Sequence, residues 1–133
     1  MILFLDTTIV AYRVEMPAET GPRVAGRLAA LARGGHSFAI SDLVRTEARM
    51  LGKRHRDDRL IALYEAFFAA ANLRVLATTA AVCDQATRLR ARHAFQPMGA
   101  LQLAAAIVHG CDRFLTADAR LSRCPDIPVD LLP

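Results

Sequence analysis

An α/β fold with a parallel sheet covered by helices on both faces is what this sequence predicts, and three observations carry the prediction. Short apolar runs alternate with longer segments of helical periodicity, the pattern of parallel strands joined by helices. The first run, Ile2-Leu3-Phe4-Leu5, is apolar without alternation, as expected of a central strand buried on both faces. The chain has 133 residues, 53% of them hydrophobic, enough for one core and too few for two ordinary domains. The expected architecture is a three-layer α/β/α domain over residues 1–133, with a parallel sheet of about five strands.

Each element has a local reason. Pro17 to Ala32 reads as a helix, with Val24, Leu28 and Leu31 on one face and Gly34-Gly35 suited to a left-handed C-terminal cap. Ser37 to Ile40 is a second strand, and Ser41 is a natural N-cap for a helix from Asp42 to about Leu51, broken at Gly52. Asp57 to Ala71 is a further helix, opened by two acids that suit the positive helix end. Leu73 to Leu76 is a third strand, followed by a helix from Ala80 to about His93, capped by Thr78 or Thr79. Met98 to His109 is apolar nearly all round and should be a deeply packed central helix stopped at Gly110. Arg113 to Thr116 gives a fourth strand and Val129 to Leu132 a short fifth.

Charge and cysteine usage narrow the function classes. There are 17 Lys+Arg against 13 Asp+Glu, and the pI is near 9.5. All the cations but Lys53 are Arg, whose planar fork suits phosphate, so a nucleic-acid partner is compatible with the composition. Cys83, Cys111 and Cys124 form no C-x-x-C pair, which points to buried thiols in a reducing cytoplasm rather than to a disulfide framework or zinc site. The apolar start ends at Asp6, too early for a signal peptide, and Met98 to Val108 is too short to span a bilayer. A cytoplasmic protein without a membrane segment is expected.

Three acids stand out. Open parallel sheets place their sites at the carboxyl ends of strands; Asp6 directly follows the first strand and Asp118 lies two residues past the fourth. Either alone could simply cap the next helix. Glu47 falls on the same helical face as Leu43, Val44, Met50 and Leu51, where a carboxylate is costly unless paired or bound to a cation. Arg54 is its possible structural partner. Three acids converging on one sheet edge would form a hard-oxygen site for Mg²⁺ or Mn²⁺, able to generate a nucleophile and stabilise a leaving 3′-oxygen in phosphodiester hydrolysis.

With those residues in place, the sequence resembles a PIN domain, and within that class a VapC-type toxin. The matching segments are ILFLDTTIVAY, SDLVRTEARML and MGALQLAAAIVHGCDRFLTADARL. The resemblance implies that Asp6, Glu47 and Asp118 are three of four catalytic, metal-holding acids, and that Thr8 and Thr116 are supporting hydroxyls. It also implies a five-stranded parallel sheet, an RNA substrate, a homodimer and a complex with a VapB-like antitoxin. The fourth acid is absent. Relatives begin the central helix with Asp, and Gly99 stands there, while Asp84 and Asp112 do not match the position. Two interpretations stay open: an inactivating change, natural or introduced, or a site that works with three acids.

Rival readings lack specific residues. A dehalogenase-type phosphatase needs an Asp where Thr8 stands, a receiver domain needs an acid ending the third strand, and a dinucleotide fold needs glycines after the first. The class that competes is a PIN-fold module that binds an antitoxin or RNA without catalysis. Arg45, Arg49 and Lys53 form one stripe opposite Glu47 and read as solvent-facing. Phe67-Phe68 reads as core or dimer interface.

Overall fold

The computed structural model describes residues 1–132, and the side chains of all of these except residues 48, 49, 51 and 52. Strand β1 (Ile2–Leu5) leads into helix α1 (Thr7–Glu15) and then α2 (Thr20–Arg33). Next come β2 (Ser37–Ser41), α3 (Asp42–Arg54), α4 (Asp58–Phe68) and β3 (Leu73–Leu76). The chain closes with α5 (Ala80–His93), α6 (Pro97–Val108), β4 (Arg113–Thr116), a 3-10 turn (Ala119–Arg123) and β5 (Val129–Leu131). All five strands join one parallel sheet in the order β3-β2-β1-β4-β5.

The pleat of β1 explains the three layers. Leu3 and Leu5 point to one face, into a core built with Ile9 and Val10 of α1, Val24 and Leu28 of α2, Val44 of α3 and Tyr64 and Phe68 of α4. Phe4 points to the other, where Val82, Ala86 and Leu89 of α5 and Leu103 to Ala106 of α6 cover it. There it stacks on Phe114 of β4, the rings 5.2 Å apart and nearly parallel. An unalternated apolar strand is thus the signature of helices on both sides.

Sheet order also locates the crevice. From β1 the chain winds outward through β2 and β3, then returns to β4 on the opposite flank. The winding reverses between β1 and β4, and such a switch point leaves an open crevice beyond the carboxyl ends of the two strands. Leu5 pairs with Leu115, so Asp6 and Thr116 emerge side by side at that crevice.

Several boundaries depart from the sequence expectations. Helix α1 was unassigned because its β-branched opening, Thr7-Thr8-Ile9-Val10, continues the apolar run of β1. Met16 closes it in the left-handed conformation, φ 52°, and Pro17 belongs to the connection to α2 rather than to that helix. Helix α3 runs through Gly52 to Arg54; a glycine weakens a helix by about 1 kcal/mol and need not end it. Arg49 and Leu51, named above for the helix faces, lie outside the described side chains. Thr79, not Thr78, caps α5, accepting from the Val82 N–H at 3.2 Å, whereas the Thr78 hydroxyl donates to Asp42 at 2.6 Å. Cys124 is buried, but Cys83 is exposed, which corrects the expectation of three buried thiols. Among the described residues no helix is long and apolar enough to cross a membrane.

Candidate active site

Asp6 ends β1 and begins α1, and both roles fix its carboxylate. Oδ1 accepts the Thr7 N–H at 2.7 Å, capping the helix, while Oδ2 accepts the Thr116 hydroxyl at 2.6 Å from the neighbouring strand. Thr116 is fully buried, and its oxygen in turn accepts the Asp118 N–H at 3.0 Å. One hydroxyl therefore ties the acid after β1 to the loop that carries the acid after β4. Capping and site-building are not alternatives for Asp6; one carboxylate does both, each through its own oxygen.

The two acids sit in different electrostatic surroundings. Burial pushes the Asp6 carboxyl above its ordinary range and the charge of Asp118 adds to this, against hydrogen bonds from Thr116, the Thr7 backbone and Gln102. Arg120 holds Asp118 below its ordinary range: its Nε and Nη2 donate to Oδ1 and Oδ2 at 3.0 and 2.9 Å. Glu47, half-buried on α3, is also pushed up, by burial and then by the charge of Asp6. The charge of Asp118 at Asp6 and that of Asp6 at Glu47 make a field that a cation would relieve.

Around them lies a cleft of about 390 Å³, lined by Asp6, Thr7, Thr8, Gly99, Gln102, Asp118, Arg120 and Arg123 among others. Thr8, expected as a supporting hydroxyl, is on this lining. Glu47 is not, although its charge reaches Asp6. Asp6 and Asp118 thus share the cleft lining, and Glu47 stands with them through the charge coupling to Asp6 rather than through the lining. Among the described residues Glu47 has no ion-pair partner, so Arg54 does not neutralise it. Met50, assigned with it to a buried stripe, is 49% exposed.

Hard oxygen donors suit Mg²⁺ in kind. Among the described residues no three His, Cys, Asp or Glu side chains form a ready ligand group. That count is compatible with Mg²⁺, which keeps several waters and is usually held by one or two carboxylates together with substrate phosphate oxygens. Asp6 and Asp118 are the residues that would hold it, with Glu47 lending charge. At the expected fourth position, Gly99 occupies the first turn of α6, whose opening carries no acid. A Cβ built there would lie 2.9 Å from Cδ2 of Leu121, so Leu121 of the 3-10 turn has filled the space that a side chain would need. Asp112 accepts the Ile2 N–H at 2.6 Å, at the amino ends of β1 and β4 opposite the cleft, and cannot substitute.

Gln102 escaped the sequence reading, hidden in a helix described as apolar nearly all round. It is 1% exposed; its amide oxygen accepts the Thr7 N–H at 3.1 Å and its amide nitrogen donates to the Thr7 hydroxyl at 2.7 Å. A lone polar residue inside a buried helix demands partners, and that rule could have found it. Arg120 was missed for the opposite reason, since an exposed Arg two residues past an Asp is unremarkable by pattern. The stripe Arg45, Arg49, Lys53 needs correction at Arg45, whose guanidinium lies over Phe68 at 5.7 Å rather than in solvent. Phe68 itself is core.

Replacing Thr116 tests the bridge. Thr116→Val keeps the shape and removes the hydroxyl, leaving a buried carboxylate oxygen and the Asp118 N–H each short of a partner, at an expected cost of about 1–3 kcal/mol. The Asp6 carboxyl should move further up, because the strongest bond lowering it is lost. Denaturant unfolding and a ¹³C carboxyl titration measure the two effects, and Thr116→Ser should restore both.

Comparison with known proteins follows the same lines. A sequence profile of the PIN domain matches residues 3–127, and no curated protein matches. Among solved structures, the chain is similar to VapBC2 from Rickettsia felis, bound to a DNA fragment from its promoter, with a TM-score of 0.82 and 18% identity over 100% of both chains. It is similar to VapC20 of Mycobacterium tuberculosis, a sarcin-ricin loop cleaving toxin, with a TM-score of 0.76 and 20% identity over 98% of this chain and 99% of that one. FitAcB from Neisseria gonorrhoeae gives 0.73 and 18%, over 97% and 96%. At these identities the likeness is one of fold.

Proposed function

Because the chain belongs to the PIN domain family, we propose that it is a VapC-like toxin, an endoribonuclease that hydrolyses RNA phosphodiester bonds with Mg²⁺ or Mn²⁺. The observation that carries this reading is the Asp6–Thr116–Asp118 bridge at the floor of a cleft rimmed by Arg120 and Arg123. Asp6 presents a carboxylate fixed by three neutral donors, and Thr116 keeps it in register with Asp118. Arg120 and Arg123 offer donors to phosphate oxygens at the mouth, and Thr8 lies beside Asp6 on the lining. A divalent ion held by Asp6 and Asp118 would supply a nucleophile at neutral pH and charge stabilisation for the leaving 3′-oxygen.

The proposed partner is a VapB-like antitoxin, as in the VapBC assemblies of similar fold, within a homodimer of this chain. Support for a protein partner comes from a groove between α1 and α4, lined by Val14, Leu63, Ala66 and Phe67, of which Leu63 is exposed. A reducing cytoplasm fits the three free thiols. The second reading, a PIN-fold module that binds antitoxin or RNA without cutting, is favoured by Gly99 and by the engagement of Asp118 with Arg120.

Incubating the protein with a structured RNA separates the two. Cleavage is expected with Mg²⁺ or Mn²⁺ and none with EDTA. RNA left intact under every metal, yet retained by the protein, would overturn the nuclease reading in favour of the binding module.

A further inference from the structure

Asp118 and Asp6 share one cleft but not one state. Every donor to Asp6 is neutral, whereas Asp118 is gripped by the two-pronged guanidinium of Arg120. Both oxygens that could face a cation already face one supplied by the chain itself. The grip is nevertheless easy to release. The Arg120 side chain is 70% exposed, so it can swing into water without uncovering core, and exposed ion pairs of this kind are weak. Nor does the turn depend on it, because the Arg120 backbone N–H caps on Asp118 independently at 3.0 Å.

The neighbouring arginine behaves differently. Arg123 lies over the ring of Phe95 at 5.2 Å, and its Nε donates to the Arg120 carbonyl at 3.1 Å. One rim cation is therefore stowed on an aromatic face while the other sits on the acid, within reach of the same cleft.

We propose that Arg120 is a latch on Asp118: it neutralises the acid in the free protein and exchanges it for a substrate phosphate, leaving the Asp118 oxygens to a divalent ion. The exchange conserves pairing, since the guanidinium fork fits phosphate as well as carboxylate. RNA and metal should then bind cooperatively, each favouring the unlatched arrangement, because ligands that prefer the same state assist one another. The proposal rests on the metal-nuclease reading above.

Arg120→Ala tests it without any measurement of cleavage. Titration calorimetry with Mn²⁺ alone should show binding about three- to tenfold tighter than in the unaltered chain, because a competing cation has gone. Fluorescence anisotropy with a structured RNA in EDTA should show binding several-fold weaker, because a phosphate donor has gone. Arg120→Lys, with charge but no fork, should fall between them on both scales. Mn²⁺ binding that is unchanged or weaker in Arg120→Ala, with binding intact in the unaltered chain, overturns the latch and leaves the nuclease reading standing. Neither protein binding Mn²⁺ at millimolar concentration overturns both. Unchanged melting temperatures without metal would show that the turn survives the substitution, as the backbone cap requires.

Discussion

Asp6→Asn should lower the rate of RNA cleavage by about a hundredfold or more, the scale set by loss of a direct metal ligand when even supporting residues are worth tenfold or more. The same variant should be as stable as the unaltered protein at neutral pH, or more so. Both expectations come from one carboxylate. Folding raises the Asp6 pKa, chiefly by burial, so the native chain binds a proton more tightly than the unfolded chain does. Stability must then fall as pH rises from the ordinary carboxylate range through the raised native value. Asn carries no charge at any pH and removes that loss. Thermal melts of both proteins between pH 4 and about pH 8 should converge at the acid end and separate, in favour of Asn, at the neutral end. Added Mg²⁺ should raise the melting temperature of the unaltered chain and leave Asp6→Asn nearly unmoved. A variant that melts lower at neutral pH would mean that the carboxylate serves the fold more than the reaction.

Gly99→Asp should raise cleavage and Mn²⁺ affinity, each by about tenfold, since hard cations respond to the number of charged ligands. The backbone is ready for it: position 99 lies in the first turn of α6, where a negative charge meets the positive helix end and where Asp is a better helix former than Gly. Leu121 stands in the way, its Cδ2 only 2.9 Å from the new Cβ. The obstacle is the far end of a flexible side chain, so the single substitution should fold, with Leu121 displaced. Gly99→Asp with Leu121→Ala gives the carboxylate more room, at the cost of a cavity in a 5% exposed position. A rate identical in the unaltered chain and in both variants would mean that the cleft works without a fourth acid.

What could be read from the sequence was what the backbone pattern controls. Strands β3 and β4 and helix α5 lie where apolar runs and caps placed them, because their periods are unambiguous. Helix α1 was not legible, since its β-branched opening favours a strand by local preference, whereas the structure starts a helix there on the Asp6 cap. Asp6 and Asp118 were legible as acids at strand ends. Their unequal environments were not, because those depend on a hydroxyl from another strand and on a guanidinium two residues along. Glu47 shows the limit of helical angles: its face also carries Met50, which is exposed, so the angular count could not say how deeply the acid is set. Gln102 and Leu121 act through contacts between elements far apart in sequence, which no local pattern encodes.

The pairing of β1 with β4 carries a consequence for biosynthesis. Asp6 and the hydroxyl that braces it are made 110 residues apart, the acid first. At translation speeds of 5–20 residues per second, the acid waits roughly 5 to 20 seconds for its neighbouring strand. A nascent chain interrupted between β1 and β4 therefore carries half a floor and no cleft, and has no means of gathering its carboxylates. The cleft is complete only once β4 and the loop that carries Asp118 have been made.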